Sequence, residues 1–128
     1  MKCMNGLRSG RIIPGYSATK EERERHAEME KLIRWYFPPS HQRMALWVAW
    51  NVSGMETLAR NRRGEGSYGL YQLSSREVGW PPENGWLLHN PIRNVAAAYG
   101  LWCKYGWEYW TVPPLPPAPF TDAGVLGV

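Results

Sequence analysis

From Met44 to Trp50 the chain reads Met-Ala-Leu-Trp-Val-Ala-Trp, apolar at every position. A helix that is apolar all round has no face to offer water, so it must be central and buried. A chain of 128 residues is long enough for one domain and too short for two. The expected design is therefore a single domain wrapped around one inner helix. Ser40 is a good N-cap and predicts that helix over about 41–53. Gly54 can end it. On pattern alone this is a plain core helix closed by glycine. The loop from Asn61 to Gly66 is too rich in glycine and charge to be core. Ser67 to Leu73 predicts a short extended segment or an irregular turn.

The flanking segments supply what would cover the helix. Thr19-Lys20-Glu21-Glu22 reads as a capping box, with Glu21, Glu22 and Glu24 where the helix dipole favours acids. Met29, Leu32, Ile33 and Tyr36 come next at helical spacing, and Pro38-Pro39 ends the element. The charged run between residues 21 and 31 reads as its wet face. Ser74-Ser75-Arg76-Glu77 offers a second capping box and the start of a short helix, and Gly79 to Trp86 reads as a loop. Asn90-Pro91 opens another helix, with Ile92, Val95, Ala96, Tyr99 and Trp102 or Cys103 as its stripe and Gly106 as its stop. The small residues Ala96-Ala97-Ala98 would let another helix approach closely. Residues 1–18 show no period and read as a flexible arm. Residues 111–128 are proline-rich and read as an extended tail that the 19–110 domain should not need.

Composition narrows the function classes. Eight Trp and seven Tyr either build a small core from large side chains or line a groove that stacks on sugar rings. The net charge of +4 suits an anionic cell wall or nucleic acid, and equally a solvated surface. A nucleic-acid role would rest on Arg60, Arg62 and Arg63 alone and is not favoured. Cys3 and Cys103 make neither a disulfide framework nor a zinc site, and His26, His41 and His89 lack ligand spacing, so neither a metal nor another cofactor is expected. No stretch reads as a signal peptide or a membrane span, so delivery to a cell wall would fall to a larger assembly.

Three stretches together resemble a known family. They are Ser53-Gly54-Met55 with Ala59-Arg60-Asn61, then Gly69-Leu70-Tyr71-Gln72-Leu73, then Asn90-Pro91-Ile92-Arg93-Asn94-Val95-Ala96-Ala97-Ala98-Tyr99. Gly106-Trp107-Glu108-Tyr109-Trp110 adds a fourth piece. In this order the chain is similar to the lysozyme-like lytic transglycosylases, especially the small versions in phage tail proteins. The resemblance spans roughly residues 43–110. It implies a small, mostly α, lysozyme-like domain that meets peptidoglycan glycan strands. It also implies a virion or periplasmic location, with other virion proteins held through the arm and tail. Tyr71 and Gln72 carry over as cleft residues, Ser53 as the neighbour of the acid, and Asn94 and Tyr99 as groove or helix-packing residues.

The family's catalytic Glu falls at Val52, which can neither donate nor accept a proton. General acid–base catalysis contributes about 10²–10⁴-fold, so cleavage should be weak or absent. Two carboxylates could substitute. Glu56 would share a face with Val52 if the helix continued past Gly54, at roughly 6 Å along the axis. Glu65 could reach a cleft from the loop, or be a solvated loop charge. Three readings are open: a glycan-recognising protein with impaired catalysis, an active transglycosylase using Glu56 or Glu65, and a virion scaffold.

Overall fold

A computed structural model describes residues 19–62 and 66–115 of the protein. These residues are mostly helical. Helix α1 spans Lys20–Tyr36, α2 spans Gln42–Ser53 and α3 spans Pro91–Tyr105. Two short strands, β1 (Arg60–Asn61) and β2 (Ser67–Tyr68), pair antiparallel with Arg60 opposite Tyr68 and Asn61 opposite Ser67. The arm at residues 1–18, the loop residues 63–65 and residues 116–128 lie outside the described residues.

The capping box at Thr19 closes as expected. The Glu22 amide donates to Thr19 Oγ1 and the Thr19 amide to Glu22 Oε1, both at 3.1 Å. Ile33 is buried and Met29, Leu32 and Tyr36 are partly buried, as their spacing predicts. His26 is also fully buried, inside the run read as a wet face. It sits seven residues before Ile33, two turns along the same face.

The cap expected at Ser40 is not used. Pro39–His41 forms a 3-10 turn that runs straight into α2, and the residue before the helix is His41, with no side-chain cap. Instead Gln42 folds back on α1. Its Nε2 donates to the carbonyls of Arg34 and Phe37 at 3.0 Å each, satisfying acceptors left open at a helix end. From Ala45 to Ser53 every residue of α2 is buried, so the inner helix is where the sequence demands it. Gly54 ends it in the left-handed region at φ 64°.

Ser74 and Glu77 do form the reciprocal bonds of a capping box, Ser74 N to Glu77 Oε1 at 2.8 Å and Glu77 N to Ser74 Oγ at 3.3 Å. The expected helix does not form beyond them. Gly79 turns at φ 76°, the Trp80 amide donates back to the Ser75 carbonyl at 2.8 Å, and Pro81-Pro82 removes the next donors. The segment read as a loop is instead largely a 3-10 helix over Pro82–His89. Asn90 caps α3 through Arg93 N at 3.1 Å, with Pro91 as its first residue.

Helices α1 and α3 pack on each other and α1 packs on α2, with aromatic side chains between them. Phe37 is the hub, with ring centroids 5.2–6.1 Å from Tyr71, Tyr99, Trp102 and Trp107. The packed unit continues past Trp110. Val112 and Leu115 lie against the core, and the Trp47 indole N–H donates to the Pro113 carbonyl at 2.8 Å. The packing therefore extends to Leu115, past the boundary expected at residue 111, because Val112 and Leu115 are apolar side chains packed against the core.

Candidate functional site

Val52 lies in the last turn of α2, 3% exposed and part of the apolar core. Its neighbour Ser53 is buried and donates Oγ to the Ala49 carbonyl at 2.8 Å. After Ser53 the chain takes two left-handed residues in succession, Gly54 at φ 64° and Met55 at φ 62°. For Met55 that conformation carries steric cost, offset here by burial of its side chain. The double turn swings the backbone off the helix axis. Glu56 therefore does not share a face with Val52, and the arrangement that needed a continued helix is absent. Its Oε1 sits 3.2 Å from His26 Nε2 and 3.7 Å from an Arg25 guanidinium nitrogen, both on α1. Glu65 lies outside the described residues.

Tyr71, Gln72 and Asn94 come together in one hydrogen-bonded knot. Tyr68 and Leu73 exchange amide bonds at 2.9 and 3.1 Å, which closes the turn Gly69–Gln72. Within it Gly69 has φ 77° and Gln72 φ 51°. A Cβ at Gly69 would come within 2.5 Å of both Asn94 Nδ2 and the Leu88 carbonyl, so only glycine lets α3 approach this closely. Asn94 is fully buried and uses all its strong positions. Its Oδ1 accepts from Tyr71 N at 2.8 Å, and its Nδ2 donates to the carbonyls of Tyr68 at 2.7 Å and Leu88 at 2.9 Å. An amide N–H can only donate and a carbonyl only accept, so the orientation of the Asn94 amide is fixed.

The Tyr71 hydroxyl donates to the Ala45 carbonyl at 2.8 Å and ties the knot to α2. Burial pushes its phenol well up, so it stays a neutral donor. Gln72 Nε2 donates to the carbonyls of Gly69 at 3.0 Å and Ala59 at 3.1 Å. With Tyr71 at 0% exposure and Gln72 at 6%, neither side chain lines an open cleft. Tyr99 is elsewhere, packed against Tyr36, Phe37 and Trp102, its phenol pushed up first by the Cys103 side chain beside it. Of the cation cluster, Arg60 stacks over the Tyr68 ring at 4.3 Å and Arg62 is exposed, while Arg63 lies outside the described residues.

An open groove of about 550 Å³ runs along the outer face of α3. Ala96, Ala97 and Gly100 line it from α3, with Arg93 and Lys104 toward the two ends of the same helical face. Glu77, Val78 and Trp80 line it from the segment before the 3-10 helix. Spacing of 93, 96, 97, 100 and 104 is one helical face, so the stripe was readable; the partner wall was not, because Trp80 reaches it through an irregular turn. Glu77 is not available as an acid. Its Oε1 accepts the Ser74 amide and its Oε2 accepts the Tyr109 hydroxyl. Burial and Glu77 together push the Tyr109 phenol far up.

Sequence reasoning also missed Glu30. Its pKa is raised, chiefly by burial, with the charge and hydrogen bond of Arg34 opposing. Oε2 accepts from Arg34 Nε at 3.1 Å, and Arg34 goes on to donate to Gln42 Oε1 at 3.0 Å. The network joins the ends of α1 and α2. Among the described residues no group of three or more His, Cys, Asp and Glu could hold a metal ion, and no helix is long and apolar enough to cross a membrane. Comparison of the chain with family models, curated proteins and solved structures gives no match.

Proposed function

We propose that the chain is a non-cleaving, glycan-recognising domain of the lysozyme-like kind, carried on a phage particle that meets peptidoglycan. The observation that carries the non-cleaving half is Val52, an apolar core residue where the resemblance requires the acid. Glu56, the substitute within the described residues, is held toward α1 by His26 and Arg25. The groove on α3 supports recognition. It brings an indole, the Glu77 carboxylate and two cations together on one exposed face of α3. An indole face suits the apolar face of a sugar ring, and the cations suit carboxylates on an anionic wall polymer.

The test is a titration of the full chain with chitooligosaccharide and with soluble peptidoglycan fragments. The expected result is saturable shifts at the Trp80 indole and the amides of residues 93–104, with no anhydro-sugar product and no clearing of cell walls. Cleavage by the parent would overturn the first half, and unmoved α3 resonances at millimolar ligand would overturn the second. A scaffold reading is favoured by one observation, that Tyr71, Gln72 and Asn94 are consumed by bonds within the fold. It stands if the titration fails.

A further inference from the structure

The segment Thr111–Leu115 packs through Val112 and Leu115 on a core whose nearby indoles are held by bonds elsewhere in the domain. Trp107 donates its indole N–H to His41 Nδ1 at 3.2 Å, and Trp110 donates its own to the Tyr71 carbonyl at 3.0 Å. Both rings are therefore fixed by the domain itself. Trp47 stands on the buried helix α2, 7% exposed. Trp47 meets the segment through its bond to the Pro113 carbonyl, while Met44, Trp107, Trp110 and the segment's own Thr111–Pro114 line an open groove of about 410 Å³.

Sequence dictates the segment's shape. Val112, Pro113 and Leu115 each precede a proline, which excludes the helical region and leaves extended or polyproline conformations. A polyproline helix has three residues per turn and no internal hydrogen bonds. Residues 112 and 115 then share one side, and the carbonyls are free to accept. The structure uses both properties. Val112 and Leu115 pack on the core, Pro113 and Pro114 are exposed, and the Pro113 carbonyl takes the Trp47 N–H. Aromatic walls with an indole donor aimed at a proline carbonyl are the chemistry by which proline-rich ligands are recognised.

We propose that the Trp47–Trp107–Trp110 groove is a recognition site for proline-rich segments of other chains, read as apolar-Pro-Pro-apolar. The chain's own Val112–Leu115 is a ligand held in cis that competes for the site. Because the walls are preorganised, a segment of the same pattern needs no rearrangement beyond displacing this strap.

The probe is a labelled synthetic peptide carrying residues 111–117. It is titrated against the full chain and against a full-length Val112→Asp/Leu115→Asp variant, with circular dichroism as the check on folding. The variant should bind saturably and at least about 10-fold more tightly than the parent, whose seat is taken. Adding Trp47→Phe, which keeps an aromatic ring and removes the donor, should weaken binding about 5-fold, the worth of one neutral hydrogen bond. A folded variant that ignores the peptide at millimolar concentration overturns the proposal, as does equal binding to parent and variant. A parent that sediments as a dimer, while the variant is a monomer, makes a second copy the occupant and also overturns it. Should the double variant lose its fold, the parent alone is titrated to millimolar peptide. A shift of the Trp47 indole resonance then supports the site and none overturns it.

Discussion

Replacing Asn94 by Asp tests whether that residue serves the fold or faces a ligand. The two side chains have nearly the same shape, so the change isolates hydrogen-bond character. The Tyr71 amide still finds an acceptor. The carbonyls of Tyr68 and Leu88, at 2.7 and 2.9 Å from Nδ2, lose the Asn94 donor, but the Tyr68 carbonyl keeps the Leu73 amide. A protonated Asp can serve Leu88, so at low pH the cost is one lost hydrogen bond, about 0.5–1.5 kcal/mol. An ionised Asp would face two carbonyl oxygens in a fully buried site, so the folded state keeps the proton. The unfolded chain releases it at about pH 3.9. Above that value the unfolded state binds fewer protons than the native state, and stability falls by about 1.4 kcal/mol per pH unit. By pH 7 the added loss is about 4 kcal/mol, a large part of the 5–15 kcal/mol that holds a typical domain. Urea denaturation of parent and variant, followed by tryptophan fluorescence from pH 4 to 7, measures that slope. A difference below about 1 kcal/mol that does not change with pH would refute a buried double donor, and would return Asn94 to the surface as a sugar contact.

Other perturbations have equally definite outcomes. Val52→Glu should cost about 3 kcal/mol or more and give no lysis, because the new carboxyl enters an apolar core; a variant that melts like the parent and clears cell walls would show that α2 ends on an open cleft. Gly69→Ala should cost about 3 kcal/mol or more in thermal or urea melts, since a Cβ there meets Asn94 and Leu88 at 2.5 Å and the φ of 77° is strained for alanine. Glu30→Gln should gain stability relative to the parent as pH rises from about 4 toward neutral. The raised pKa of Glu30 means that its favourable contribution is present at low pH and lost as pH passes through the raised value, and the Gln variant lacks that loss; urea midpoints at the two pH values decide, and the opposite trend would mean that pairing with Arg34 outweighs burial. Deleting residues from 111 onward should lower the melting midpoint by about 10 °C, from roughly 2 kcal/mol of lost packing and one hydrogen bond; an unchanged midpoint would show the strap to be energetically idle.

Where one residue's local preference met no opposition, the sequence was a good guide. Thr19 with Glu22, the apolar run of α2, Gly54 and Asn90-Pro91 all place their elements correctly, because cap, period and stop agree. Ser74-Glu77 shows the limit. Its reciprocal bonds form, and then Gly79 and two prolines turn the backbone away from a helix. Ser40 lost its capping role to a proline-initiated turn one residue earlier. His26 was hidden among charges, since polarity along the chain says nothing of a residue whose partner, Glu56, lies thirty positions away. Of Ser53, Tyr71, Gln72, Asn94 and Tyr99, the fold joins Tyr71, Gln72 and Asn94 in one knot and leaves Tyr99 elsewhere, and a motif does not tell an outward side chain from an inward one. That distinction depends on Gly69 letting α3 come close, a tertiary fact.

The knot around Asn94 separates two kinds of information that a motif can carry. Gly69 lacks a Cβ because α3 needs the space, Gln72 holds the turn's carbonyls, and Asn94 joins three stretches of backbone. Selection for folding alone would hold these residues in place whether or not the chain ever meets a sugar. The pattern Gly69–Leu73 with Asn94 therefore records an architecture, and the fold would keep it with or without a ligand. At position 52 the same packing favours an apolar residue, so a carboxyl could stand there only at a cost to the fold.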